Sequence, residues 1–265
     1  MHVNQRYVCM RSLFFVMLTG LFVSYIPATL SEDFKPNSIK TISEKPEESK
    51  SISQLLYDKM NLAQVLKFEA FDQALQGYNI LHPRKTNILT VIDFTLPSTD
   101  KRMVVLDMEK EKVLFHTIVS HGKNSGEKYA KSFSNKHGSY QSSLGFYETQ
   151  NTYQGGNGYS LVLNGLERGI NDQAKARAVV IHGADYCSES VIKSTGRLGR
   201  SYGCPALPRA LTKPIINAIK DGSLLYIYAE NKEYMAATKV LTPVAKGGML
   251  AQHDEVKTVD SDRLN

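Results

Sequence analysis

A cysteine set between a glycine and a proline, in the run GRSYGCPAL from Gly199 to Leu207, is the residue in this sequence best placed to do chemistry. Gly203 permits a turn that no bulky residue could make, and Pro205 drives Cys204 toward extended backbone and away from helix. A thiol on such a turn has its own main-chain amides beside it, so Gly203 and Cys204 offer both a nucleophile and donors for a developing oxyanion, as acyl transfer requires. The thiolate is the attacking species, and an ordinary thiol with a pKa of about 8.5 is mostly protonated at neutral pH, so a base is needed. His182 is the candidate: it ends the apolar strand AVVI, precedes Gly183, and stands at a strand edge where loops gather. Spacing alone does not bring residues 182 and 204 together, and a hydrogen-bonded histidine at a strand end is the competing reading.

Other uses of these side chains stay open. Cys187 and Cys204 suit a disulfide if the chain is exported. Pairing the loop cysteine with the nucleophile would also silence it reversibly. His182, Asp185, Cys187 and Cys204 are residue types that zinc accepts, but their spacing is no zinc signature, and neither a metal nor a cofactor is assigned. His116, inside KVLFHTIVS, reads as structural, and His121 and His137 read as solvated loop positions that could line a pocket.

The elements that must hold these groups follow from pattern. The length of 265 residues suits one sizeable domain with appendages. Residues 1–30 contain the apolar run LFFVMLTGLFVSYI behind Arg6 and Arg11, the form of a signal peptide, with a retained N-terminal anchor as the alternative. Cleavage would remove Cys9 and two positive charges, lowering the formal +6 to +4, enough to favour anionic surroundings. Export fits an envelope polyanion, whereas no basic helix or nucleic-acid module is present. Residues 31–53, with EKPEESKSIS, read as a disordered linker. Residues 54–86 form a helical element in which Phe68, Phe71, Leu75 and Tyr78 share a face, with Gly77 and Asn79 as terminators.

From residue 87 the period becomes that of strands. NILTVIDF, RMVVLD and KVLFHTIVS are followed by SLGFYET, YSLVLNG, AVVIHG and SLLYIYA, with MEKE turning the first hairpin and long loops at HGKNSGEKYAKSFSNKHGSYQS and YQGGNG. Two more helices are expected, SESVIKSTG entered through Ser188, and LTKPIINAIKDG with Thr212 as N-cap, Pro214 in the first turn and Gly222 past the end. The reading is a mainly β (α+β) domain over 87–230, a sandwich of mixed sheets with few short helices, followed by a polar C-terminal tail over 231–265.

IHGADY followed by GRLGRSYGCPAL resembles the signature of murein L,D-transpeptidases of the YkuD type, where a His-Gly pair precedes a Ser-x-Gly-Cys segment. His182 and Gly183 match the first part, and Ser201, Gly203 and Cys204 the second. The resemblance extends over HGKNSGEKYAKSFSNKHGSYQSSLGFY and LNGLERGINDQAKARAVVIHGADY, roughly residues 56–229, and it is closest to a subgroup carrying Gly-Cys-Pro-Ala. It implies a β-rich fold, a periplasmic or wall-facing location, and peptidoglycan stem peptides as substrate, with a second stem or a lipoprotein lysine as acceptor. Cys204 and His182 are then the catalytic pair, with Ser201 orienting the base or bonding the turn, and Gly203 and Gly183 as backbone groups of the site. The sequence departs from the family where Tyr202 stands for a second histidine and Pro205-Ala206 for an aliphatic residue followed by arginine or asparagine. Arg197, Arg200 and Tyr202 are the residues left to contact substrate, the arginines through a carboxylate. Hydrolysis at the same site, making an L,D-carboxypeptidase, and a wall-binding module without turnover are the alternatives.

Overall fold

The computed structural model describes residues 50–242, so the signal or anchor, Cys9, most of the linker and the end of the tail lie outside the described residues. Among those described, no helix is long and apolar enough to cross a membrane. Helix α1 (Ile52–Lys59) begins where Ser51 accepts the amide of Gln54, and a 3-10 turn at Leu62–Gln64 leads into α2 (Phe68–Leu81). Phe71 of α2 is fully buried, and Phe68 and Phe71 both pack on Tyr57 of α1. Gly77 and Asn79 do not end α2. A β-carbon at Gly77 would meet the Phe146 ring at 2.1 Å, so this glycine lets the helix lie on the sheet, and the chain leaves the helix at His82 in a left-handed conformation.

The expected mixed, mainly β fold with few short helices is what forms. Its strands are β1 (Ile88–Asp93), β2 (Met103–Asp107), β3 (Lys112–Thr117), β4 (Gly145–Gly155), β5 (Gly158–Gly165), β6 (Val180–Gly183), β7 (Ala206–Leu207) and β8 (Leu224–Tyr228). They hydrogen-bond in the order β3-β2-β1-β8-β4-β5-β6-β7. β1, β2 and β8 are buried along their whole length, which explains why ILTVID, MVVLD and LLYIY are almost continuously apolar. Phe146 stacks on Tyr226 at 4.2 Å in the middle of this core. YQGGNG is not a long loop: β4 and β5 run through it to a two-residue turn at Gly156 and Asn157.

β3 and β7 stand at opposite ends of the strand order, yet the chain beyond β3 reaches the far edge. The Ser120 amide donates to the Ala206 carbonyl at 2.9 Å, and Gly122 bridges Ser201. The segment after β3 thus closes the curled sheet onto its β7 edge, beside Cys204.

Three short helices complete the fold: α3 (Glu189–Thr195), entered at Ser188 as expected, α4 (Arg209–Ile219) and α5 (Lys232–Ala237). Pro208, not Thr212, is the N-cap of α4. Thr212 lies inside the helix with its hydroxyl donating to the Pro208 carbonyl at 3.0 Å. Pro214 is thus an interior proline, where its missing N–H removes one helical bond. α5 falls in the stretch read as tail. It is fastened by Glu167, a buried carboxylate that accepts from the Phe146 amide and from the hydroxyls of Tyr234 and Thr238.

Candidate active site

The turn ahead of β7 is built by side chains that bond their own backbone. The Ser201 hydroxyl donates to the Cys204 carbonyl at 2.6 Å and accepts the Gly203 amide at 3.0 Å. Ser201 therefore holds the turn and makes no bond to His182, and the Gly203 amide expected to face an oxyanion is engaged by it. The Cys204 amide makes no hydrogen bond to any described residue and stays free to donate. Gly203 has φ +128°, and a β-carbon there would lie 2.9 Å from the Gln141 carbonyl oxygen, so the turn requires glycine on both counts.

β6 and β7 pair in parallel with His182 opposite Ala206 and Gly183 opposite Leu207. Two positions back in that register, Cys204 falls opposite Val180, and its sulfur takes the place of the next ladder partner, 3.5 Å from the Val180 amide and 3.7 Å from the Ala178 carbonyl. Cys204, two residues ahead of β7, and His182, on β6, thus stand two register positions apart, without a hydrogen bond between them. His182 is buried, and its Nδ1 lies 3.1 Å from the Gly183 carbonyl oxygen, so Nδ1 carries the proton and Nε2 keeps its lone pair. The Gly183 carbonyl is the group that sets this tautomer.

Burial sets the charge state of both groups. Desolvation pushes the Cys204 thiol up, against smaller downward pulls from the Val180 amide and the Arg177 guanidinium. Desolvation also pulls the His182 imidazole down, partly opposed by the Gly183 carbonyl and helped by Arg209. Both shifts favour the neutral form, of the thiol and of the imidazole.

The expected substrate arginines are occupied. Arg200 donates to Glu127 at 2.7 Å and to the Lys123 and Gly126 carbonyls, while Arg197 pairs with the same Glu127 at 2.9 Å. Tyr202 is 70% exposed and packs against Tyr140, with ring centroids 4.9 Å apart.

A family model for the L,D-transpeptidase catalytic domain matches residues 62–228, which include every residue of this site. The chain belongs to that family. Among solved structures it is similar to an L,D-transpeptidase from Mycobacterium smegmatis, at 14% identity and a TM-score of 0.34 over 54% of this chain and 59% of that one. It is also similar to the helical cell shape determining protein Pgp2 from Campylobacter jejuni, at 16% identity and a TM-score of 0.38 over 55% of this chain and 48% of that one. L,D-transpeptidase 3 from Mycobacterium tuberculosis gives 12% and 0.34 over 56% and 62%. The chain spans about half to three fifths of the length of these proteins. A search of curated protein sequences found no match.

Within this L,D-transpeptidase domain, the residue that sequence reading missed is Arg177. Its guanidinium donates to the Ser134 and Gln141 carbonyls and to the hydroxyls of Ser143 and Ser139, at 2.7–3.2 Å, and so straps the long loop over the nucleophile turn. The Ser142 hydroxyl completes the strap by donating to the Gly203 carbonyl at 3.2 Å. No motif marks an arginine in QAKARAVV for this use.

His121 is a correction, because it is fully buried and not solvated. Its Nδ1 accepts from the buried Arg102 at 2.8 Å and its Nε2–H donates to the Gly126 carbonyl, and desolvation with the nearby Arg102 charge pulls its pKa down to about 4. His137 stays exposed on the Ala176 carbonyl, and His116 bonds the Lys101 carbonyl as a structural residue. Cys187 and Cys204 are both free thiols, so the disulfide is not formed. Cys187 is sealed among Ile118, Ala184, Leu198 and Ala206, and Asp185 is paired with Arg209, so the four zinc-type residues are not gathered into one cluster.

Proposed function

We propose that the domain is a peptidoglycan L,D-transpeptidase whose Cys204 forms a thioester with a stem tetrapeptide. His182 Nε2 takes the thiol proton as the sulfur attacks the carbonyl joining diaminopimelate to the terminal D-alanine. The Cys204 amide donates to the oxyanion, and the Gly203 amide joins it if Ser201 releases its bond. The tetrahedral intermediate collapses, His182 returns the proton to the departing amine, and D-alanine leaves. An amine from a second stem or from a lipoprotein lysine then attacks the thioester and frees the thiol. No cofactor enters these steps, and the site of action is the cell envelope after export.

The observation that carries this reading is the parallel pairing of His182 with Ala206, which sets an imidazole of fixed tautomer beside the strand that begins two residues after the thiol. Contact between them needs the Cys204 side chain to turn away from Val180 and Ala178, and bonds of this kind commonly tighten only with substrate in place. Incubation with a carbapenem followed by mass measurement tests the reading: a covalent adduct absent from Cys204→Ser is expected. An unmodified wild-type protein that still binds cell walls would make it a binding module instead. Muropeptide digestion separates the two enzymatic outcomes, since crosslinked product signals transfer and tripeptide alone signals hydrolysis by water.

A further inference from the structure

Beside the turn that carries Cys204 stands a cation that forms no ion pair among the described residues. Lys123 directly follows the bridge between Gly122 and Ser201, and its amide donates to the Ser201 carbonyl at 2.8 Å, which fixes its backbone to the nucleophile turn. Its ammonium lies over two aromatic rings, 4.4 Å from the centroid of Tyr140 and 4.6 Å from that of Tyr202. Among the described residues it forms no ion pair. The neighbouring cations are committed elsewhere, because Arg197 and Arg200 share Glu127 and Arg177 is spent on four loop oxygens.

The surroundings of Lys123 are costly to maintain. Tyr140 has φ +54°, a left-handed conformation that a side-chain-bearing residue adopts at a cost of about 1–2 kcal/mol. Tyr140 and Tyr202 are 42% and 70% exposed, so neither is placed there by the core. Two tyrosine faces hold the ammonium in one position while leaving its N–H groups able to reach an anion.

We propose that Lys123, steadied by Tyr140 and Tyr202, is the subsite for the terminal carboxylate of the stem peptide, next to the bond that Cys204 attacks. The inference rests on the proposed function and names how that substrate is recognised. It assigns to Lys123 the contact that the sequence suggested for Arg197 or Arg200. It also gives Tyr202 a positioning role, since that residue touches the lysine and not the substrate charge.

The test compares a stem tetrapeptide with the same peptide carrying a terminal carboxamide, read as kcat/KM for D-alanine or D-alaninamide release. A contact of this strength is expected to make the wild type favour the carboxylate about tenfold. Lys123→Met should bring the preference to near unity, chiefly through KM, and Lys123→Arg should keep most of it. Tyr202→Ala should fall between, and Tyr202→Phe should match the wild type, because the ring face and not the hydroxyl holds the lysine. An unchanged tenfold preference in Lys123→Met, in a protein that still forms the carbapenem adduct, overturns this inference and leaves the proposed function standing. A wild type that forms no adduct and releases no D-alanine overturns both.

Discussion

Two cysteines lie seventeen positions apart at either end of the segment joining β6 to β7, and the fold treats them in opposite ways. Cys187 has no exposed surface, sits in a small satellite cluster, and is pushed up to about 11 by burial, with Ser120 and Arg102 pulling the other way. Cys204 is half-buried on an irregular turn, beside a free amide of its own, a strand amide at Val180 and the Arg177 charge. Burial raises both thiols, so acidity alone does not distinguish them. What separates them is access and, for Cys204, a histidine on the strand beside its turn, so the fold distinguishes the two thiols by geometry before it does so by pKa.

Exchanging the two sulfurs for oxygens tests that contrast most directly. Cys204→Ser is expected to lose at least about a thousandfold in acylation, measured as adduct formation rate. Cys187→Ser is expected to keep acylation and instead lower stability by about 1–3 kcal/mol in chemical denaturation, since it places a hydroxyl in an apolar cluster. Equal effects on acylation from the two substitutions would erase the distinction. His182→Gln comes next, with an expected loss of about 10²–10⁴ in acylation at neutral pH, because the base is removed while the turn is untouched.

Gly203→Ala should cost about 1–3 kcal/mol in stability from φ alone, with acylation falling as the turn shifts away from Gln141. The smallest effect is on pH dependence. Burial favours the protonated thiol, so alkylation of Cys204 by iodoacetamide should be slower at neutral pH than for a free cysteine and should climb into the alkaline range. Peptide mapping should find Cys187 unmodified until the protein unfolds. A Cys204 profile that saturates below neutral pH would show a thiolate–imidazolium pair in place of the neutral one.

The strands were legible because their apolar runs have the right length and are bounded by turn residues, and the first hairpin was legible to its turn. β7 was not, since two residues carry no period, yet its register is what relates Cys204 to His182. Gly77 and Thr212 were misread for one reason: local signals for a helix end and a cap yielded to a ring at Phe146 and to Pro208. At the site, Cys204 and His182 stood out by residue type and neighbours. Arg177 and the use of Arg197 and Arg200 by Glu127 depend on partners tens of residues away, and the burial of His121 on Arg102, nineteen positions back, so no local pattern encodes them.

The core of the sheet joins β1 to β8 in parallel, Leu89 against Leu224, so its middle is assembled from the first and last strands of the domain. The segment bearing Cys204 is therefore made before the strand on which the centre of the sheet closes.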